Sequence, residues 1–385
     1  MLILLAPDKF KGSLSSSQAA RSMARGLREG WPEAFIKTCP LADGGEGTME
    51  VLVEATGGEK IPCEVTGPLG ERREAEFGVL GEGDTAVVEM ASASGLELIP
   101  GRSRDPMLTT TRGTGDLIRC ALDRGIRNIF VAIGGSGTND GGTGMAAALG
   151  ARFTDRSGAE LPPGGGHLAQ LEHVDLSGMD PRIGDSRIIV ASDVANPLLG
   201  ERGATRVYAL QKGAGENEVD TLEMGLERLV EVVRGDLGAD GENQPGAGAA
   251  GGLGYGLMFF LGAEVRPGVE VVMQSVGFHQ LLDGCGLVIT GEGRLDSQTS
   301  YGKTVMGVAR SAREKGVPVL ALGGEVTSEA ECLHESGVSS LIAIPFGPMT
   351  VEESMAGAAP QLRRTCREIG SLIRSVLSAD PSSSG

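Results

Sequence analysis

Apolar and polar positions alternate along this chain on two scales. LILLA, residues 2 to 6, is a continuous apolar run of strand length, and SSSQAARSMARGLREG after it has helix composition, ending at Gly30 before Trp31-Pro32. The far end repeats the theme with LVIT (287 to 290), a polar loop, KTVMGVARSAREKG, VPVLALGG (317 to 324), a short helix and SSLIAIPFG (339 to 347). Strands and helices at this spacing predict a parallel sheet covered on both faces.

The middle has another texture. REAEFGVLGEGDTAVVEMAS, residues 73 to 92, alternates like an antiparallel hairpin turning near Gly81 to Asp84. Further strands are expected at RNIFVAIGG (127 to 135), RIIVASD (187 to 193) and RVYALQKG (206 to 213), and residues 216 to 243 read as a charged surface helix followed by a loop. The fold class is therefore α/β, a Rossmann-like parallel-sheet domain interrupted by a large second α/β domain with a mixed sheet. The expected boundaries are 1–65 with 286–385 for the outer domain, and 66–285 for the insertion.

Composition narrows the partners. A formal net charge of −17 disfavours a nucleic-acid backbone, which needs clustered Lys and Arg. Six scattered cysteines without a CxxC pair read as reduced thiols of a cytoplasmic protein. The uncharged stretch from Gln244 to Ala263 is too rich in glycine for a membrane span and reads as packed turns around a short apolar segment.

Chemistry is expected in loops that follow strands, because ligands of open α/β sheets bind at the carboxyl ends of strands. These loops are DKFKGS (8 to 13), LADGGEGT (41 to 48), GGSGTNDGGTG (134 to 144), ASDVANPLLG (191 to 200) and GEGRLDSQTSYGKT (291 to 304). Lysines before a helix suit phosphate or carboxylate, although DKFKGS also reads as an ordinary solvated turn. Gly302-Lys303-Thr304 closes like a phosphate-binding P-loop, but Ser297 stands where that motif needs glycine, so the Walker A reading fails while its phosphate chemistry survives. Gly142 to Ala147 fits GxGxxA with Asp155 beyond, which motivates an alternative, an NAD(P)-dependent oxidoreductase of a small hydroxy acid. That match starts well past the strand end at Ile133, where a dinucleotide turn would have to begin.

Taken in order, APDKFKGSLSS, PLADGGEGT, TTRGTG, IGGSGTNDGG, ASDVANPL, QKGA and TGEGRLDSQTSYGKT resemble the bacterial glycerate kinase family of glyoxylate- and glucarate-pathway enzymes. The resemblance implies ATP- and Mg²⁺-dependent phosphorylation of D-glycerate, to 2-phosphoglycerate with 3-phosphoglycerate still open. It also implies a two-domain enzyme with its site in the interdomain cleft. Residue chemistry then distributes the roles. Asp296 is expected as the base, with Asp193 and Lys9 also catalytic, and Lys11, Arg294 and Asp43 are expected at the substrate. Ser136, Thr138, Asn139, Lys303 and Thr304 are expected at ATP, and Asp193 with Asn196 at the metal. The expected partners are small molecules alone, with no nucleic acid and no membrane; a homo-oligomer stays open.

Overall fold

The computed structural model describes residues 1–300 and 304–379. Its strands are β1 (Leu2–Leu5), β2 (Phe35–Thr38), β3 (Glu59–Thr66), β4 (Arg72–Val79), β5 (Thr85–Glu89), β6 (Asn128–Ala132), β7 (Arg152–Thr154), β8 (His173–Asp175), β9 (Arg187–Ala191), β10 (Glu264–Arg266), β11 (Cys285–Leu295), β12 (Val319–Val326) and β13 (Val338–Ala343). The chain divides into two units, residues 1–43 with 269–385 and residues 44–268.

The first unit is a five-stranded parallel sheet in the order β13-β12-β11-β1-β2. Inner strands covered on both faces need apolar residues at every position. β1 meets this with Ile3, Leu4 and Leu5, all fully buried, whereas β2 at the edge reads FIKT and is largely exposed. One face is covered by the helices Ser16–Gly30 and Ala358–Ala379, with Ala19, Met23 and Leu27 packing toward Leu362, Cys366 and Ile289. Burying side chains such as Met23 and Leu27 contributes about 1.5–3 kcal/mol each. The first of these helices starts where the sequence says it should, because Ser15 and Gln18 form a reciprocal capping box. A Cβ at Gly26 or Gly30 would collide with the carbonyls of Arg363 and Arg367, so glycine sets how closely the two helices approach. Thr304–Glu314 covers the opposite face through Val305 and Ala309.

The second unit carries a six-stranded mixed sheet, β10-β9-β6-β5-β4-β3, plus the small antiparallel pair β7-β8. β5, β6, β9 and β10 run parallel, while β4 pairs antiparallel with both β3 and β5. The β4–β5 hairpin turns where its sequence expected, with Leu80 N–H donating to the Thr85 carbonyl. β3 pairs along its whole length with β4, so the second unit begins before residue 59 instead of at 66. At the other end Val269 packs over Gly307, which draws residues 269–285 into the first unit.

Three local expectations change. RVYALQKG is helical, with Ala204–Tyr208 followed by a 3-10 turn at Leu210–Lys212; its buried positions 204, 205, 209 and 212 recur at helical spacing and not in alternation. The helix Glu216–Leu237 is no mere solvated face, for Leu222, Leu226, Leu229 and Val233 are fully buried. Cys63 and Cys120 form a disulfide, so the six cysteines are not all thiols. β3 and the helix Arg112–Asp123 bring together cysteines 57 residues apart, which spacing could not reveal. Gln244 to Ala263 resolves into turns and the helix Leu253–Leu261, and among the described residues no helix is long and apolar enough to cross a membrane.

Candidate functional site

In the first unit the chain moves from β1 outward to β2 on one side, and from β11 through β12 to β13 on the other. The order reverses between β1 and β11, and doubly wound sheets of this order bind ligands beyond the strand ends at that point. Backbone bonds weld the two exits together: Ala6 N–H donates to the Ile289 carbonyl at 2.8 Å and Asp8 N–H to the Gly291 carbonyl at 2.9 Å. Leu41 N–H donates to the Pro7 carbonyl at 3.0 Å, which brings in the loop after β2.

Asp8 stands at this junction with 3% of its surface exposed. Its Oδ1 accepts from Lys9 N–H at 2.6 Å, and its Oδ2 accepts from the Thr304 hydroxyl. Burial, and then the nearby carboxylate of Asp43, push the Asp8 carboxyl from its ordinary 3.8 up to about 7. Towards the end of β11, Arg294 Nε lies 3.2 Å from Asp296 Oδ2 and 3.5 Å from Glu325 Oε2. Thr299, fully buried, donates to Glu292 Oε1 at 2.8 Å, and its hydroxyl accepts from Asp296 N–H at 3.3 Å. Lys11 is exposed and Lys9 and Asp43 are half-buried in the loops after β1 and β2. Lys303 falls outside the described residues.

In the second unit the glycine-rich loop follows β6. Thr138, Asn139 and Asp140 are fully buried, while Ser136 is half-buried at a bridge with Gly95. Asp140 accepts from Thr111 N–H at 2.8 Å, from the Thr111 hydroxyl at 2.9 Å, from Gly142 N–H at 3.1 Å and from Gly144 N–H at 3.3 Å. Burial still raises its carboxyl, with those donors pulling the other way. Lys212, 2% exposed, donates to the Thr138 carbonyl at 2.7 Å, and burial drives its amine down from 10.5 to about 7 against the attraction of Asp140. Among the described residues the Thr138 hydroxyl and Asn139 Oδ1 are buried without a hydrogen-bond partner, and polar atoms of that kind await a ligand, a water or a rearrangement.

The loop after β9 is committed differently. Asp193 Oδ1 accepts from Gly268 N–H at 2.9 Å. Asn196 spends its amide on the Arg202 carbonyl at 2.7 Å and its oxygen on the Tyr208 hydroxyl at 3.1 Å. Among the described residues no cluster of three or more His, Cys, Asp or Glu could hold a metal. Mg²⁺ needs less, since it is commonly held by one or two carboxylates plus phosphate oxygens and water, and Asp193 offers one such carboxylate.

The residues behind the oxidoreductase alternative have other work. A Cβ at Gly142 would come within 2.9 Å of Gly256 Cα, so this glycine serves close packing against the helix Leu253–Leu261. Asp155 closes an exposed turn, accepting from Ser157 N–H at 2.8 Å and Ala159 N–H at 3.1 Å.

Sequence reasoning passed over Asp8, Asp140 and Lys212 as individual residues. Asp8 lay in plain sight, three residues past an apolar strand and before two lysines. Lys212 was visible only as a cation in the otherwise small or apolar set Ala204, Ala209 and Ala214.

Comparison with known proteins follows the same lines. The profile of the glycerate kinase family matches residues 3–374. The chain is 46% identical to the glycerate kinase of Bacillus subtilis (strain 168) over 374 residues, which covers 97% of this chain and 98% of that one. It is 46% identical to the glycerate 2-kinase of Escherichia coli (strain K12) over 373 residues, with the same coverage. A crystal structure assigned as glycerate kinase 2 from Salmonella typhimurium LT2 superposes with a TM-score of 0.88 at 43% identity, covering 98% of this chain and 99% of the other.

Proposed function

The chain belongs to the glycerate kinase family, and from that premise we propose that it transfers the γ-phosphoryl group of ATP to D-glycerate, giving 2-phosphoglycerate. The observation that carries the reaction is the nearly full-length match to kinases that act on glycerate. The 2-position draws its support from the Escherichia coli relative, which is a glycerate 2-kinase.

Phosphoryl transfer asks a protein chiefly to position its reactants and to stabilise charge. Arg294 suits the glycerate carboxylate through its planar fork, with Lys11 and Asp43 completing the polar surroundings of the acceptor. Asp296, paired with Arg294, suits the task of orienting that guanidinium. The glycine-rich loop from Gly134 to Gly142, with Ser136, Thr138 and Asn139, offers small residues and amides to the ATP phosphates, and Lys303 adds a cation. Mg²⁺, when bound, neutralises charge on the phosphate oxygens, and Asp193 is the residue suited to hold it. Asn196, whose oxygen already accepts from the Tyr208 hydroxyl, can offer that oxygen's second lone pair beside it.

ADP release should require D-glycerate, Mg²⁺ and ATP together. Release at an equal rate without glycerate would sink the reading, and saturable NAD(P)H binding with no ADP formed would revive the oxidoreductase alternative.

A further inference from the structure

We infer that Asp8, at the β1–β11 junction, is the general base that takes the proton from the glycerate hydroxyl. The inference rests on the kinase reading above and names the group that the reading leaves open.

Geometry comes first. Asp8 is a carboxylate placed at the point where the strand order reverses, and the β11 backbone fixes its position through the Gly291 carbonyl. Its Oδ2 already accepts a hydrogen bond from an alcohol, the hydroxyl of Thr304, which is the same kind of donor that the acceptor substrate must present. With 3% exposure, bulk water has little access to it. Asp296, by contrast, is already engaged by the guanidinium of Arg294, 3.2 Å away.

The charged surroundings fit the same role. Asp43, from the loop after β2, faces Asp8 with like charge, and Lys9 on Asp8's own loop opposes it more weakly; β11 contributes the Gly291 carbonyl and the helix Thr304–Glu314 the Thr304 hydroxyl. A general base works best when its pKa lies near the working pH, and burial, helped by the like charge of Asp43, brings Asp8 there against the pull of Thr304 and Lys9. In the step itself the glycerate O–H proton passes to Asp8 while the oxygen's lone pair forms the new bond to the γ-phosphorus. The bond from that phosphorus to the bridging oxygen of ADP breaks, and its electron pair leaves with ADP. Asp8 then releases its proton to water, which balances the reaction.

The test uses the full chain with Mg-ATP and D-glycerate. The wild type should show an acid limb in kcat/KM near pH 7, falling as Asp8 protonates. Asp8→Asn should lower kcat by about 10² to 10⁴ with little change in KM for ATP. Asp43→Asn removes a like charge and should move the limb to lower pH; Thr304→Val removes a donor that favours the carboxylate and should move it higher. A merely structural Asp8 would give neither opposed shift. Should Asp8→Asn fail to fold, the two limb shifts decide alone. A wild type that turns over while Asp8→Asn keeps most of its kcat, or limbs that stay put in both neighbours' variants, overturns Asp8 and leaves the kinase reading standing. Absence of glycerate phosphorylation by the wild type overturns both.

Discussion

Asp8 in the first unit and Asp140 in the second are both buried carboxylates just beyond a parallel strand, and burial raises both. Their neighbours differ. Asp140 accepts from the amides of Thr111, Gly142 and Gly144 and from the Thr111 hydroxyl, with the amine of Lys212 as an attractive charge. Those bonds pin the first turns of the helices Arg112–Asp123 and Thr143–Ala148, where Thr111 also receives Met145 N–H at 2.9 Å. Among the described residues Asp8 accepts from one amide and one hydroxyl, and a second carboxylate pushes against it. A buried charge that is fully hydrogen-bonded holds a fold together; one buried beside a like charge stores a proton affinity that chemistry can use.

The contrast is broken most directly by matched substitutions. Asp8→Asn is expected to cost about 10² to 10⁴ in kcat without lowering the melting temperature at neutral pH. Asp140→Asn is expected to do the reverse, removing about 1–3 kcal/mol of stability because an amide cannot accept all those donors. Its folded fraction should keep kcat within a small factor, and denaturant melts beside steady-state kinetics would show whether the two residues separate in this way. Equal losses of activity in both would erase the distinction.

A smaller effect sharpens the first unit. Arg294→Lys should raise KM for glycerate about tenfold, roughly 1.4 kcal/mol, through loss of the bidentate fork, with kcat less affected. Unchanged KM would remove Arg294 from the substrate.

A further effect is in stability against pH. Asp8 is raised from 3.8 to about 7, so the folded state holds its proton where the unfolded chain does not, and stability falls as pH climbs through that window. Lys212 is lowered from 10.5 to about 7, so the unfolded chain binds the extra proton and stability rises as pH climbs from about 7 to 10.5. Urea melts of Asp8→Asn and Lys212→Met across pH 4 to 10 should flatten the first slope and the second respectively, since each variant removes one titration.

Much of this was legible from local pattern. β1, β11 and β12 announce themselves as apolar runs, and the β4–β5 turn follows from alternation that breaks at Gly81 to Asp84. The lost information is tertiary. Nothing local tells that Lys212 points inward, since its segment mixes exposed Val207 and Leu210 with buried Ala209. Cys63 and Cys120 meet only because β3 lies beside a helix far along the chain. Asp8 was readable as a strand-end residue, but its raised proton affinity comes first from burial that only the assembled sheet provides and then from Asp43, 35 positions away.

One measurement tests the whole account most directly: proton-coupled ³¹P NMR of the protein incubated with Mg-ATP and D-glycerate. The account predicts a new phosphomonoester resonance split into a doublet by the single proton at the 2-position, growing as ADP accumulates. A triplet would move the product to 3-phosphoglycerate, and intact ATP, or inorganic phosphate beside unchanged glycerate, would contradict the assignment of this chain as a glycerate kinase.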